Sequence, residues 1–153
     1  MLQFKNKIKI TISSIYNESN KRGDWKSLEE HLDKYHKNTI SIIGGDLNEH
    51  LNEQSNCLSK LEEMGLYNAA ELFDKQAEIT WSVRGSKTIV DYIWISPALA
   101  EKTWNTEVKE VDDFFNTDYK AVTTTIRMDT FTSQVRQERK KVKRWIFDIK
   151  KRT

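Results

Sequence analysis

A β-branched run that leads into two glycines constrains the fold of this chain more than any other feature. Residues 39–43 are Thr-Ile-Ser-Ile-Ile, and Gly44, Gly45, Asp46, Leu47 and Asn48 follow. The run predicts a short buried strand that stops at the glycines. Side chains at the carboxyl end of such a strand often line a site, so Asp46 and Asn48 are candidate functional residues. The spacing alone fits an Asx turn better.

Strands and helices alternate around this run. Ile8, Ile10 and Ile12 alternate with polar residues and predict a strand over 7–16. Apolar residues at helical spacing predict two helices, capped by Asp24 and Ser55 and ending near Lys37 and Gly65. The later elements are a helical turn over 68–73, a hairpin of strands 79–83 and 88–95, a turn at Ser96-Pro97, strands 103–111 and 119–128, and a helix over 133–151. This order predicts helices packed outside sheets.

Composition excludes several classes of protein. The chain has 153 residues and a single cysteine, Cys57, so an internal disulfide is excluded and a reducing, intracellular location is expected. Five Trp, five Tyr and six Phe supply the apolar surface that a core needs. No apolar run approaches the roughly 20 residues of a membrane span, so no membrane partner is expected.

The net charge of +2 conceals an acidic body and a basic tail. Residues 134–153 hold nine Lys and Arg and two acidic residues, net +7, which leaves 16 basic and 21 acidic residues in 1–133, net −5. We divide the chain into a body, 1–130, and a basic helical tail or linker, 131–153. The tail is either a nucleic-acid contact or a solvated helix face. Its candidate contacts are Arg136, Arg139, Lys140, Lys141, Lys143 and Arg144.

Other polar residues have two interpretations each. Asp91 lies in the apolar run 89–95, where a carboxylate is costly unless it faces a site or gains hydrogen bonds, although an ordinary sheet-face aspartate fits as well. His31 and His36 are five residues apart in a predicted helix and do not share a face, so we expect them, with His50, to be surface residues. Cys57 is expected to be an idle thiol.

Three segments, in order, resemble motifs of the endonuclease/exonuclease/phosphatase superfamily. Residues 42–48 resemble its Gly-Asp-Phe-Asn motif, and 80–81 with 90–96 resemble its Thr-Trp and Ile-Asp-Tyr-Ile-x-x-Ser segments. Residues 117–122 are similar to its closing Ser-Asp-His-x-x-Val. The match covers about residues 8–128 and is most similar to the endonuclease domain of non-LTR retrotransposons, with the tail resembling the linker that follows it.

The resemblance implies a partial two-sheet β-sandwich flanked by helices, an α/β fold, that hydrolyses nucleic-acid phosphodiesters with Mg²⁺ or, alternatively, Mn²⁺. DNA is the implied partner, with RNA as the alternative. Asp46 would orient or deprotonate the attacking water, and Asn48 would hold the phosphate. Asp118 would contribute to the metal site, and Asp91 would orient the residue at position 119. Tyr16 resembles the family tyrosine that contacts the phosphate.

Two departures from the family pattern predict impaired cleavage. Family members open with strands that bear an asparagine and a metal-binding glutamate, which residues 1–7 do not supply, so we expect an incomplete metal site and an exposed sheet edge open to association. Position 119 is Tyr instead of the family histidine, and a neutral phenol cannot carry the imidazolium charge. We therefore expect a weak or inactive endonuclease, or alternatively an inactive nucleic-acid-binding remnant.

Overall fold

The structure is a computed structural model that describes residues 1–3, 8–17, 25–50, 56–111 and 117–128. The body and tail division predicted at residue 130 lies outside these residues, as do the caps Asp24 and Ser55. Within the described ranges, the strands are β1 Leu2–Gln3, β2 Lys9–Tyr16, β3 Ile40–Asp46, β4 Tyr67–Asn68, β5 Trp81–Val83, β6 Ser86–Thr88, β7 Asp91–Ile95, β8 Thr103–Lys109 and β9 Ala121–Ile126. The helices are α1 Trp25–Tyr35, α2 Asn56–Glu63 and α3 Pro97–Ala100, with a 3-10 turn at Glu71–Phe73.

A five-stranded sheet in the order β1-β2-β3-β7-β4 forms the centre of the described part. β2 runs parallel to β3, while β7 is antiparallel to β3 and to β4. The pairs β5–β6 and β8–β9 form two smaller antiparallel sheets. Strand β3 thus pairs with β2 along its whole length and with β7 over residues 42–46.

Apolar side chains cover both faces of the central sheet. Helices α1 and α2 bury Leu32 and Leu61 on one face, together with Ile43, Tyr92 and Trp94 of the sheet. On the other face, a second cluster includes Ile10 and Ile95 with Ile126 of β9. This alternation along β7 is the period-two pattern of a strand buried on both sides.

Ile12 departs from the burial predicted by its alternation with Ile8 and Ile10. Its side chain is 46% exposed. It lines a groove of about 420 Å³ together with Ile42, Ile93 and Val122. The β8–β9 pair therefore leaves part of this sheet face uncovered in the described structure.

The strand predicted to stop at the two glycines continues through them to Asp46, so that boundary was wrong. Gly45 has φ +144°, and a Cβ atom built on it would lie 1.9 Å from the carbonyl oxygen of Ile15. Glycine at this position permits the close approach of β2 and β3. The glycines extend the strand because they remove a steric obstacle to pairing.

The single strand predicted over residues 88–95 was also wrong, because the chain divides it into β6 and β7. The hydroxyl of Thr80 accepts hydrogen bonds from the backbone N–H groups of Val90 and Asp91, at 3.1 and 3.2 Å. Leu47 N donates to the carbonyl oxygen of Val90 at 2.8 Å. These contacts separate residues 89–91 from the β5–β6 hairpin and join them to the central sheet.

Candidate active site

Three predicted site residues form a row across adjacent strands. Asp46 is the last residue of β3, Tyr16 is its partner on β2, and Asp91 is its partner on β7. Directly paired residues project from the same sheet face. The side chains therefore share the face opposite helices α1 and α2, at one end of the central sheet.

Tyr119 reaches this row from outside the central sheet. Its hydroxyl donates a hydrogen bond to Oδ2 of Asp46 at 3.4 Å. Burial, reinforced by Asp46, Asp91 and Tyr16, raises the pKa of Tyr119 above its ordinary value. The phenol is therefore neutral at pH 7 and acts as a hydrogen-bond donor without charge.

Main-chain bonds to the β5 segment hold Tyr119 in place. Tyr119 forms an isolated antiparallel bridge with Trp81. Ser82 N donates to the carbonyl oxygen of Asp118 at 3.0 Å, and Lys120 N donates to that of Thr80 at 2.7 Å. The hairpin thus positions the segment 118–120 over the end of the central sheet.

Asp91 is the most strongly perturbed acid of the row. Burial raises the pKa of its carboxyl group, a hydrogen bond from Thr80 lowers it, and the charge of Asp46 raises it again. Its Oδ2 atom is buried and has no hydrogen-bond partner among the described residues. Ionised Asp91 is therefore destabilised in this position, which is a common property of functional carboxylates.

Asn17 fixes the turn that carries Asp46 and Asn48, a role that its sequence position in a polar turn did not reveal. Its N–H donates to the carbonyl oxygen of Asp46 at 2.9 Å, and its Nδ2 donates to that of Leu47 at 3.0 Å. In return, Nδ2 of Asn48 donates to the carbonyl oxygen of Asn17. Asn17 is thus a positioning residue for both candidates.

Asn48 has a constrained backbone in this turn. Its φ is +49°, and its N–H donates to Oδ1 of Asp46 at 3.1 Å. Asparagine tolerates this left-handed conformation better than most residues. The expected Asx turn is thus present, and one amide hydrogen of the Asn48 side chain is bonded within the protein, not directed at a phosphate.

Glu49 anchors the same turn to helix α2. Its carboxylate accepts hydrogen bonds from the N–H groups of Cys57 and Leu58, at 3.0 and 3.2 Å. A carboxylate is favourable there because it meets unpaired N–H groups at the helix N-terminus. Burial, with a contribution from Glu49, raises the pKa of the Cys57 thiol to about 12, so this cysteine is unreactive, as the sequence predicted.

The carboxylates present do not complete a site for a divalent cation. Asp118, the predicted ligand, is exposed and lines a separate cavity of about 360 Å³ with Tyr119 and Lys120. Among the described residues, no three His, Cys, Asp or Glu side chains are grouped closely enough to hold a metal. Mg²⁺ takes about six oxygen ligands, several of which are usually water, so Asp46 and Asp91 could supply only part of its coordination. Asp118 as a metal ligand stays a prediction.

A family model described as "Endonuclease-reverse transcriptase" matches residues 10–113, which include Asp46, Asn48 and Asp91. The chain belongs to this family. This membership confirms the resemblance carried by the sequence motifs and supports a nuclease or phosphodiesterase type of function. A search of curated protein sequences gives no significant match.

Solved structures that share the fold of this chain include two nucleic-acid enzymes. The endonuclease domain of TRAS1, a telomere-specific non-LTR retrotransposon, aligns with a TM-score of 0.60 and 20% identity over 77% of this chain and 57% of that chain. The 3′ phosphatase NExo from Neisseria, bound to product DNA hairpin, aligns with a TM-score of 0.52 and 15% identity over 67% of this chain and 50% of that chain. These structures confirm the predicted fold class. The chain spans about half of the length of each.

Two further sequence predictions concern a membrane-spanning helix and the basic tail. In the described part of the chain, no helix is long and apolar enough to cross a lipid bilayer. The candidate tail contacts lie outside the described residues.

Proposed function

We propose that the chain carries the phosphodiesterase site of a nucleic-acid endonuclease, with cleavage strongly slowed by Tyr119. The observation that supports this is the hydrogen bond from the Tyr119 hydroxyl to Oδ2 of Asp46, at 3.4 Å. In the proposed reaction, Asp46 takes a proton from the attacking water, whose oxygen forms a bond to phosphorus while the bond from phosphorus to the leaving oxygen breaks and its electron pair goes to that oxygen. Tyr16 and Asn48 contact the phosphate, and Asp91 supports position 119 from the adjacent strand.

Tyr119 reduces the rate for an electrostatic reason. Hydrolysis of a phosphodiester builds negative charge on the phosphate and on the leaving oxygen. A cationic donor at position 119 would stabilise that charge, whereas the phenol is neutral and directs its hydrogen bond at Asp46. The loss of one such donor costs on the order of 10²–10³ in rate. When Asp91 is ionised, its carboxylate adds a second negative charge beside Tyr119.

The proposed cofactor is Mg²⁺, with Mn²⁺ as the alternative. When bound, such an ion supplies Lewis-acid stabilisation of the phosphoryl oxygens. Because Asp46 and Asp91 supply only part of the coordination, the other ligands would be Asp118, water and the substrate phosphate. The weakness of this donor set is a second reason to expect slow cleavage.

The proposed partner is DNA, with RNA as the alternative. Six basic residues between positions 136 and 144 would contact phosphates: Arg136, Arg139, Lys140, Lys141, Lys143 and Arg144. Contacts of this kind depend steeply on salt because they release condensed counterions. A second candidate function follows from Tyr119: the chain binds nucleic acid and no longer cleaves it.

Plasmid nicking separates the two functions. The full chain is incubated with supercoiled plasmid and Mg²⁺ beside Asp46→Asn and a matched control, Asp74→Asn, whose exposed aspartate lies away from the row. Nicking that Asp46→Asn abolishes and Asp74→Asn preserves supports the endonuclease. Salt-sensitive plasmid binding without nicking, in both the wild type and Tyr119→His, supports the binding remnant instead.

Association through an exposed sheet edge stays a prediction; we propose in addition that a second copy of the chain binds the uncovered sheet face. The groove beside Ile12 exposes apolar side chains next to strand β9, and such surface favours pairing with another chain. The measurement is the mass in solution by light scattering. Ile12→Lys is expected to shift an associated species to monomer, and a wild-type chain that is monomeric at high concentration contradicts this association.

A further inference from the structure

Two histidines and a serine converge on the sheet face that carries helix α1. Ser13 lies three residues before Tyr16 in β2, so its side chain projects from the face opposite the candidate active site. Its Oγ atom lies 3.2 Å from Nε2 of His31 and 2.8 Å from Nε2 of His36. Both imidazoles therefore direct the same ring nitrogen at one point.

A chain of hydroxyl groups fixes the tautomer of His36. The Thr39 hydroxyl donates to the carbonyl oxygens of Tyr35 and His36, at 3.2 and 3.1 Å. It is therefore the acceptor in its 2.9 Å contact with the Ser41 hydroxyl. Ser41 in turn accepts from Nδ1 of His36 at 2.9 Å. This order places the hydrogen on Nδ1 and leaves the Nε2 lone pair directed at Ser13.

This is the state in which imidazole binds a metal ion. Metal-binding histidines usually donate their second N–H to an oxygen, which orients the ring and increases its basicity. Ser41 supplies that oxygen for His36. The rings of His31 and His36 have centroids 5.9 Å apart and planes inclined at 44°. The side chain of His31 is exposed, so its ring can turn toward an ion shared with His36, and that ion can enter from solvent.

We propose that Nε2 of His31 and Nε2 of His36 bind one Zn²⁺ ion, which replaces their direct hydrogen bonds to the Ser13 hydroxyl. Imidazole nitrogen suits Zn²⁺ and poorly suits Mg²⁺, so this site is chemically distinct from the carboxylate row. The Ser13 hydroxyl and water complete the coordination. Within the residues described here, no third His, Cys, Asp or Glu joins the pair, so the affinity is below that of a four-ligand structural zinc site.

The site would fasten the end of helix α1 to strand β2. His36 is 2% exposed, and burial together with His31 lowers its pKa, which keeps it unprotonated at neutral pH. A ligand that binds only the folded chain raises its stability. Zn²⁺ is therefore expected to raise the Tm of the chain.

Calorimetric titration of the full chain with Zn²⁺ tests the site. One ion per chain is expected, and His31→Gln is expected to weaken binding at least tenfold. His50→Gln is the matched control, because Nδ1 of His50 instead contacts the Thr88 hydroxyl at 2.9 Å. Ser41→Ala is expected to weaken binding 10- to 100-fold through the lost orientation of His36.

Separate controls test whether the variants fold and where the ion binds. His31 is exposed, so His31→Gln is expected to keep the circular dichroism spectrum of the wild type and to remove the rise in Tm on addition of Zn²⁺. Binding that is absent, that survives His31→Gln, or that disappears in His50→Gln or Asp46→Asn overturns the site. None of these outcomes depends on nuclease activity.

Discussion

Asp46 lies directly opposite Asp91 in the β3–β7 pair, and these carboxylates project from the same face. Like charges in paired positions repel each other. Only Asp46 gains the hydroxyl of Tyr119 as a partner, whereas Oδ2 of Asp91 is buried without one. The pair is thus asymmetric, and the asymmetry determines how each carboxylate responds to substitution.

Asp91→Asn is expected to stabilise the chain at pH 7. The folded-state pKa of Asp91 is raised, so the folded state holds a proton more tightly than the unfolded state does, and stability is lost as pH rises through the folded pKa. The neutral amide avoids that loss. Urea unfolding at pH 7 measures it, with Asp74→Asn as control, and a lower midpoint for Asp91→Asn than for the control contradicts it.

Tyr119→His is expected to increase plasmid nicking by on the order of 10²-fold, because a cationic imidazole replaces a neutral phenol near the phosphate. The rate is measured from the appearance of open-circular plasmid in Mg²⁺. Tyr119→Phe serves as control, since it removes the hydroxyl and adds no charge. An unchanged rate in Tyr119→His locates the defect in the incomplete metal site instead.

Acid is expected to destabilise the chain through His36. Burial, with a contribution from His31, lowers its folded-state pKa below the ordinary histidine value of 6.5, so the unfolded state takes up the proton first. The free energy of unfolding therefore falls as pH drops below about 6.5. Urea titrations from pH 8 to pH 5 follow this decline, and a slope that His36→Gln leaves unchanged argues against His36 as its source.

Gly45→Ala is expected to cost about 3 kcal/mol or more of folding free energy. The added Cβ would lie 1.9 Å from the carbonyl oxygen of Ile15, and φ +144° is unfavourable for alanine. Gly65→Ala is the matched control, because nothing lies within 4 Å of its Cβ position. Thermal unfolding compares the two, and equal losses mean that β2 and β3 can separate without penalty.

Glu49→Ala is expected to cost about 1 kcal/mol, the usual value of a helix cap. It removes the acceptor for the N–H groups of Cys57 and Leu58. Glu62→Ala in the same helix is the control, because Glu62 is exposed. Denaturant unfolding measures both variants, and faster hydrogen exchange at Cys57 and Leu58 in Glu49→Ala alone identifies the cap.

Local patterns predicted the central strands and the helices, because strand and helix periodicity depend on neighbouring residues. The roles of Tyr16, Asp46 and Asp91 were predicted only by resemblance to the family, and their pairing in one row depends on contacts between strands. The division of residues 88–95 was missed, since it depends on the Thr80 hydroxyl approaching Val90 and Asp91 in space. His36 was expected at the surface and is buried. Helix α1 ends at Tyr35, so the spacing rule used for His31 and His36 does not apply beyond it.

Backbone hydrogen bonds fix the main chain around Tyr119. Ser82 N, Lys120 N and the bridge to Trp81 fix the chain around position 119 through groups that every amino acid except proline carries. These bonds therefore do not depend on which side chain stands at position 119. Evolution could exchange imidazole for phenol at this position without moving the main chain, and the reverse exchange is open by a single substitution.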